Sequence, residues 1–166
     1  MSGLPVIGSD ERWSGGEFSA TVTCVLAPNP SPMTLDGTNT WLIGQRGGAM
    51  VVIDPGPDDE SHLRAIVDAA EGRVVQILLT HGHPDHAEGA RRLHDMTGAP
   101  VRALDPEHVH GGEGLVEGDV VVAGTDEIHV IATPGHTSDS LSFHLPRDGA
   151  LLTGDTVLGR GTTVVA

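Results

Sequence analysis

Between Leu78 and His86 an apolar run stops abruptly and three imidazoles and a carboxylate follow: Leu78-Leu79-Thr80-His81-Gly82-His83-Pro84-Asp85-His86. The preceding Val74, Val75, Ile77, Leu78 and Leu79, bounded by Gly72 and Gly82, have the short β-branched pattern of a buried strand. His81 therefore closes a strand. Side chains of extended chain repeat every two residues, so His81 and His83 project to one side if the backbone stays extended through Gly82. Pro84 keeps His83 out of helical conformation and favours the first turn of a helix, which carries Asp85 and His86 toward a neighbouring point. Such spacing suits two adjacent metal ions. A capping box explains Asp85 with Glu88, but it does not explain three His and one Asp together.

The 166 residues amount to one domain, long enough to bury a core without staples. Nine basic residues face 23 acidic ones, a net charge of −14 that two bound dications would bring only to −10. That balance opposes a broad electrostatic grip on nucleic acid. Cys24 is the single cysteine, so no internal disulfide forms and a reducing compartment is expected. The first ten residues lack the regions of a signal peptide and no apolar run reaches transmembrane length, so the expectation is a cytoplasmic protein without a membrane partner.

Residues 1–16 are expected as a flexible lead-in, and 17–166 as the domain. Phe18 to Leu26 has the β-branched content of a first strand. The proline-spaced stretch Ala27 to Gly37 must be loop, and Thr38–Ile43 with Ala49–Ile53 form a hairpin about Gly44 to Gly48. That second strand ends in Asp54-Pro55-Gly56. A helix opens at Pro57 to Asp59, with Leu63, Ile66, Val67 and Ala70 at helical spacing and Gly72 as its stop. After the His-rich loop a second helix is expected from about His86 to Thr97, its N-terminus offering free N–H groups to the site. A short strand follows at Val101 to Leu104. From Val120 onward the pattern is antiparallel: Val120–Ala123, Ile128–Thr133, Leu141–Leu145 and Ala150–Thr153.

Two later strand ends repeat the geometry of His81 and Asp54: Thr133-Pro134-Gly135-His136-Thr137 and Thr153-Gly154-Asp155. His-x-His-x-Asp-His after an apolar strand, with Pro-Gly-His-Thr and Thr-Gly-Asp further on, resembles the signature of the metallo-β-lactamase superfamily. The resemblance implies an α+β fold, the αββα sandwich. It also implies that His81, His83 and His136 bind one metal while Asp85, His86 and Asp155 bind a second, Asp155 bridging. Asp54 is then a residue that orients a ligand from behind. The segments Asn29 to Thr40 and Gly154 to Thr163 are similar to the β-lactamase-like protein 2 subgroup, which includes an endoribonuclease acting on single-stranded RNA. The superfamily's second metal normally receives a further His from a later strand. Here the sequence stops at Ala166 soon after Asp155, so the chain is expected to be the N-terminal portion of a longer protein, its sandwich incomplete at that end.

Imidazole and carboxylate ligands without thiolate suit Zn²⁺, and would also hold Mn²⁺ or Fe²⁺. Zinc lowers the pKa of bound water to about 7, so the expected chemistry is hydrolysis of an ester-type bond by zinc-bound hydroxide, with Asp85 orienting the water. Two zinc ions are expected in the complete protein. Three readings follow: cleavage of a phosphodiester of single-stranded RNA, hydrolysis of a small-molecule ester or thioester in the manner of glyoxalase II, and a non-catalytic metal-binding or partner-binding fold. An exposed apolar sheet face in an incomplete sandwich would favour a homodimer. Four further histidines, His62, His94, His108 and His110, are expected in solvated positions on helices and a loop, and His129 and His144 on the outer face of strands.

Overall fold

The computed structural model describes residues 12–165. Of the lead-in, residues 1–11 therefore lie outside the described residues. Trp13 is already tied down: its backbone N–H donates to Asp36 at 3.1 Å and its indole N–H to Asn39 at 2.6 Å.

The first sheet has the order β1 (Gly16–Glu17), β2 (Val22–Leu26), β3 (Asn39–Ile43), β4 (Met50–Ile53), β5 (Val74–Leu78) and β6 (Val101–Arg102). The expected strand from Phe18 is shorter than its β-branched content suggests. Residues 18–21 bend back from β1, with Phe18 N–H donating to the Val22 carbonyl. β1 to β4 are antiparallel, whereas β4, β5 and β6 run parallel. Parallel neighbours need a crossover, and helices supply both: α1 (Glu60–Ala69) before β5, then α2 (Pro84–Ala87) and α3 (Ala90–Thr97) before β6. The Asp59 carboxylate caps α1 by accepting the His62 N–H at 2.8 Å.

The single helix expected from about His86 is broken into α2 and α3. Gly89 lies so close to residues 56–57 that a Cβ there would come within 2.8 Å of the Pro57 carbonyl. Its N–H bonds the Gly56 carbonyl instead of continuing the ladder. α2 consequently has only four residues, its His86 and Ala87 N–H groups both donate to the His83 carbonyl, and the expected cluster of free N–H donors is not there.

The second sheet has the order β10 (Ala150–Leu152), β9 (Leu141–Leu145), β8 (Asp126–Ala132) and β7 (Val120–Ala123), all antiparallel. β7 and β8 are joined by the two-residue turn Gly124-Thr125, with Gly124 at φ 64°.

Alternation along the strands explains the layers. In the first sheet Leu42, Val52 and Ile77 face the helices and meet Leu63, Ile66 and Leu93, while Ile43, Val51, Ile53 and Leu78 face the second sheet and meet Ile128, Leu141 and Phe143. A sheet buried on both faces reads as continuous apolar sequence, as β4 does. The second sheet buries one face only, and its outer face carries exposed Val120, Val122, Ile131 and Leu151. Among the described residues the layers are thus helix, sheet and sheet, and no helix is long and apolar enough to cross a membrane.

The topology gathers four strand ends at one edge. Ile53 pairs with Leu78, Ala132 with Leu141, and Leu152 with Phe143, so the segments after β4, β5, β8 and β10 leave the sandwich together. The Leu141 N–H donates to the Thr80 carbonyl at 2.7 Å, joining the two sheets at that edge.

Candidate metal centre

Asp54 is the foundation of this edge. Its backbone is in the left-handed region at φ 54°, held there by Thr40, whose hydroxyl donates to the Asp54 carbonyl at 2.7 Å. Its buried carboxylate accepts three hydrogen bonds: from the Thr80 N–H at 2.8 Å, the Thr80 hydroxyl at 2.7 Å and His86 Nδ1–H at 2.8 Å. One carboxylate therefore positions both ends of the His-rich loop. Gly154 fits against the same threonine, since a Cβ there would lie 2.6 Å from Thr80 Oγ1. Glycine in the Thr-Gly-Asp segment lets Asp155 approach.

The hydrogen bonds also fix tautomers. The Thr80 hydroxyl gives its proton to Asp54, so at 3.0 Å it can only accept from His81 Nδ1–H. His136 Nδ1–H donates to the Val164 carbonyl at 2.5 Å. In the neutral rings this leaves lone pairs on His81 Nε2 and His136 Nε2, and these atoms lie 3.1 and 3.0 Å from His83 Nδ1. Burial, reinforced by the nearby His86, pulls the His81 pKa down to about 4, so its lone pair is available at neutral pH. All three ligand atoms lie within 4.8 Å of one another, and the two spacings to His83 are a little under the edge of about 3.3–3.4 Å of a tetrahedron with metal–nitrogen bonds of about 2.0–2.1 Å.

A second group comprises His81, His86 and Asp155, their ligand atoms within 4.8 Å of one another. His86 Nε2 faces Asp155 Oδ1 at 3.3 Å and Asp85 Oδ2 at 3.4 Å. The other Asp155 oxygen lies 3.6 Å from His136 Nε2, so this carboxylate looks toward both groups. Burial pulls the His86 pKa down, but the carboxylates of Asp54 and Asp155 outweigh it and push it up to about 10. Asp155 is itself held below the usual carboxylate range: burial opposes this, and the hydrogen bond and charge of His86, with His81 and His136, prevail.

All six residues proposed as ligands from the sequence, His81, His83, Asp85, His86, His136 and Asp155, thus meet at this edge, with Asp54 directly behind them. Sequence reasoning missed three supports. Thr80 carries the proton chain above, and Asp139 accepts the Gly82 N–H at 2.9 Å, tying the His136 loop to the His81 loop. His62 is buried, not solvated as expected, with Nε2 at 2.9 Å from Thr40 Oγ1. Its spacing from Ile66, one helical turn away, is the signal that could have placed it on the buried stripe. His94 is likewise half-buried, its Nδ1–H donating to the Ala99 carbonyl at 2.8 Å.

The two segments shared with the β-lactamase-like protein 2 subgroup meet in space, with Arg160 2.9 Å from Asp36.

The sequence profile of the metallo-beta-lactamase superfamily matches residues 33–166. The chain belongs to that superfamily. Among its relatives in the superfamily are a beta-lactamase-like protein 2 homolog from Caenorhabditis elegans, 33% identical over 89% of this chain and 54% of the worm protein, and an atrochrysone carboxyl ACP thioesterase from Aspergillus fumigatus, 35% identical over 89% of this chain and 49% of that enzyme. The chain spans about half the length of the curated relatives it matches. Two solved structures share the metallo-beta-lactamase fold. A beta-lactamase domain protein from Burkholderia ambifaria aligns at a TM-score of 0.75 with 25% identity, over 91% of this chain and 58% of its own. A metallo-beta-lactamase family protein from Thermus thermophilus aligns at 0.73 with 20% identity, over 87% and 62%.

Proposed function

We propose that this chain carries the metal centre of a hydrolase that cleaves an ester-type bond, with a small thioester as the favoured substrate. The observation that carries the reading is the convergence of His81 Nε2 and His136 Nε2 on His83 Nδ1, at 3.1 and 3.0 Å, the first two with their ring protons committed elsewhere. His83 Nδ1 faces both of the other lone pairs and can give a proton to only one of them, so a cation among the three nitrogens satisfies the set better than a hydrogen bond does. His81, His83 and His136 would hold the first ion, and Asp85, His86 and Asp155 a second, the two oxygens of Asp155 reaching toward both. Zn²⁺ fits this oxygen and nitrogen donor set. A divalent ion held there supplies Lewis acidity and, for zinc, makes water acidic enough to yield hydroxide near neutral pH.

The chain's own residues do the positioning. Asp54 fixes the ring of His86 and the backbone of Thr80, Asp139 fixes Gly82, and the Val164 carbonyl turns His136 so that Nε2 faces inward. Asp85, half-buried beside His86, is the carboxylate placed to orient an attacking water and accept its proton. The thioester reading is supported by the thioesterase among the relatives and by the net charge of −14, which disfavours a polyanion. Cleavage of single-stranded RNA is the second reading, supported by the resemblance of Asn29 to Thr40 and Gly154 to Thr163 to the β-lactamase-like protein 2 subgroup, whose name the worm relative carries.

Metal content by elemental analysis, followed by parallel assays on an acyl-glutathione and on single-stranded RNA, tests both. The expected result is bound zinc and thioester turnover that the double variant His81→Ala, His83→Ala abolishes. Turnover unchanged in that variant would overturn the metal mechanism, and RNA cleavage without thioester turnover would reverse the order of the two substrates.

A further inference from the structure

The loop carrying His108 and His110, a His-x-His pair outside the metal centre, does not stand free in solvent. Both residues are half-buried and line a depression of about 300 Å³ on the flank of the metal loop, shared with Gly82, Pro84, Glu88 and Arg91. The wall between depression and metal centre is one residue thick. His108 Nε2 comes so near Gly82 that a Cβ at that position would lie 2.3 Å from it and 3.3 Å from the Asp139 carboxylate. Gly82 separates His81 from His83, so whatever occupies the depression is one residue from the proposed ligands.

Two of the polar groups around it have no hydrogen-bond partner among the described residues, and the third, Arg91, has only a long, exposed ion pair. Among the described residues the side chains of His108 and His110 make no hydrogen bond, and the nearest carboxylate to Arg91 is Asp95 at 3.8 Å. Seven other arginines, Arg46, Arg64, Arg73, Arg92, Arg102, Arg147 and Arg160, lie within 3.1 Å of a carboxylate, whereas Arg12, like Arg91, has no carboxylate that close among the described residues. Burial holds the pKa of His110 down, the charges of Arg91, His94 and His108 add to that effect, and Asp95 opposes it. In a chain of net charge −14 this is a local group of weakly engaged donors, set over an apolar floor of Ala87 and Ala90. Glu88 is the one carboxylate on the wall and limits how much negative charge the depression accepts.

We propose that this depression is an oxyanion subsite in which Arg91, His108 and His110 hold a carboxylate or phosphate group of the substrate, leaving its ester-type bond to reach the metal centre across Gly82. Calling the ligand a substrate rests on the hydrolase reading; the binding of an oxyanion does not. Arg91 offers the planar paired donors that match such a group, and each imidazole donates one N–H even when neutral.

Nuclear magnetic resonance of the full chain separates the two. Monomethyl succinate and methyl phosphate are the oxyanion probes, dimethyl succinate is the uncharged control, and the readout is the Cε1–H resonances of His108 and His110, assigned through His108→Gln and His110→Gln. The expected result is saturable shifts of both rings with at least one oxyanion probe, at least tenfold weaker binding in Arg91→Ala, partial recovery in Arg91→Lys, tighter binding in Glu88→Gln, and unchanged binding in Leu151→Thr. The probe that binds more tightly identifies the group as carboxylate or phosphate. Equal shifts with dimethyl succinate, shifts that survive Arg91→Ala, or no shift with either oxyanion would overturn the subsite. Oxyanion binding that persists in a chain without hydrolytic turnover would overturn the hydrolase reading alone.

Discussion

The two sheets contribute to the same centre under different constraints. The first is clamped between two apolar layers, and it delivers Asp54, Thr80, His81, His83 and His86 from the ends of two parallel strands that lie side by side. The second is anchored by one face, and it delivers His136 and Asp155 from strands whose outer side chains stand in solvent. The first sheet is therefore the fixed jaw of the site, and the second is brought to it by specific polar contacts, Leu141 to Thr80 and Gly82 to Asp139. Rigidity at such a site comes from burial on one side and from hydrogen bonds on the other.

That contrast can be broken or sharpened by experiment. The largest expected effect is chemical. Burial pushes the thiol of Cys24, on β2 of the first sheet, up from 9.0 to about 12. Only the thiolate reacts with alkylating agents, so at pH 8 the folded chain should be alkylated about a thousandfold more slowly than the denatured chain. A mass-spectrometric time course with iodoacetamide reads this, and ready labelling in the native state would mean that the first sheet opens. Ile77→Ala, which empties a position in the layer between helices and sheet, should cost about 2–5 kcal/mol in urea unfolding. A cost under about 1 kcal/mol would remove the distinction between the sheets.

Asp54→Ala should weaken zinc binding about 10–100-fold, the effect usual for residues that orient a ligand, while His136→Ala removes a proposed ligand outright and should cost more. Competitive titration against a zinc chelator measures both. Smallest of all, Leu151→Thr on the outer face of the second sheet should change unfolding stability by no more than about 0.5 kcal/mol. A large loss there would show that the outer face is covered in solution.

Much of this was legible in the sequence because strands announce themselves by apolar alternation and the chemistry stands at their ends. β3 to β5 and β7 to β10 fall where the patterns put them, and the segments after Leu78, Ala132 and Leu152 converge as their repeated geometry suggests. The misses share one cause, contacts between residues far apart in the chain. Nothing local to Glu88-Gly89 reveals that Pro57 presses on Gly89 and splits the helix. His62 is polar on a helix that also has an exposed face, and only the Thr40 hydroxyl waiting across the core explains its burial. Asp139 looks like an ordinary loop carboxylate until the Gly82 N–H is placed before it.

The hydrogen bond from His136 to the carbonyl of Val164 has a consequence for biosynthesis. A ribosome adds about 5–20 residues per second, so roughly 4–15 s separate the emergence of His81 from that of Asp155, and Val164 follows later still. β7 to β9 emerge within that interval, and until β10 follows, the nascent chain holds His81, His83 and His86 without a complete second sheet to face them. The order of translation thus makes the His-rich loop a transient open chelator, and the finished geometry, with His136 turned inward by Val164, exists only after the last of these segments has left the exit tunnel.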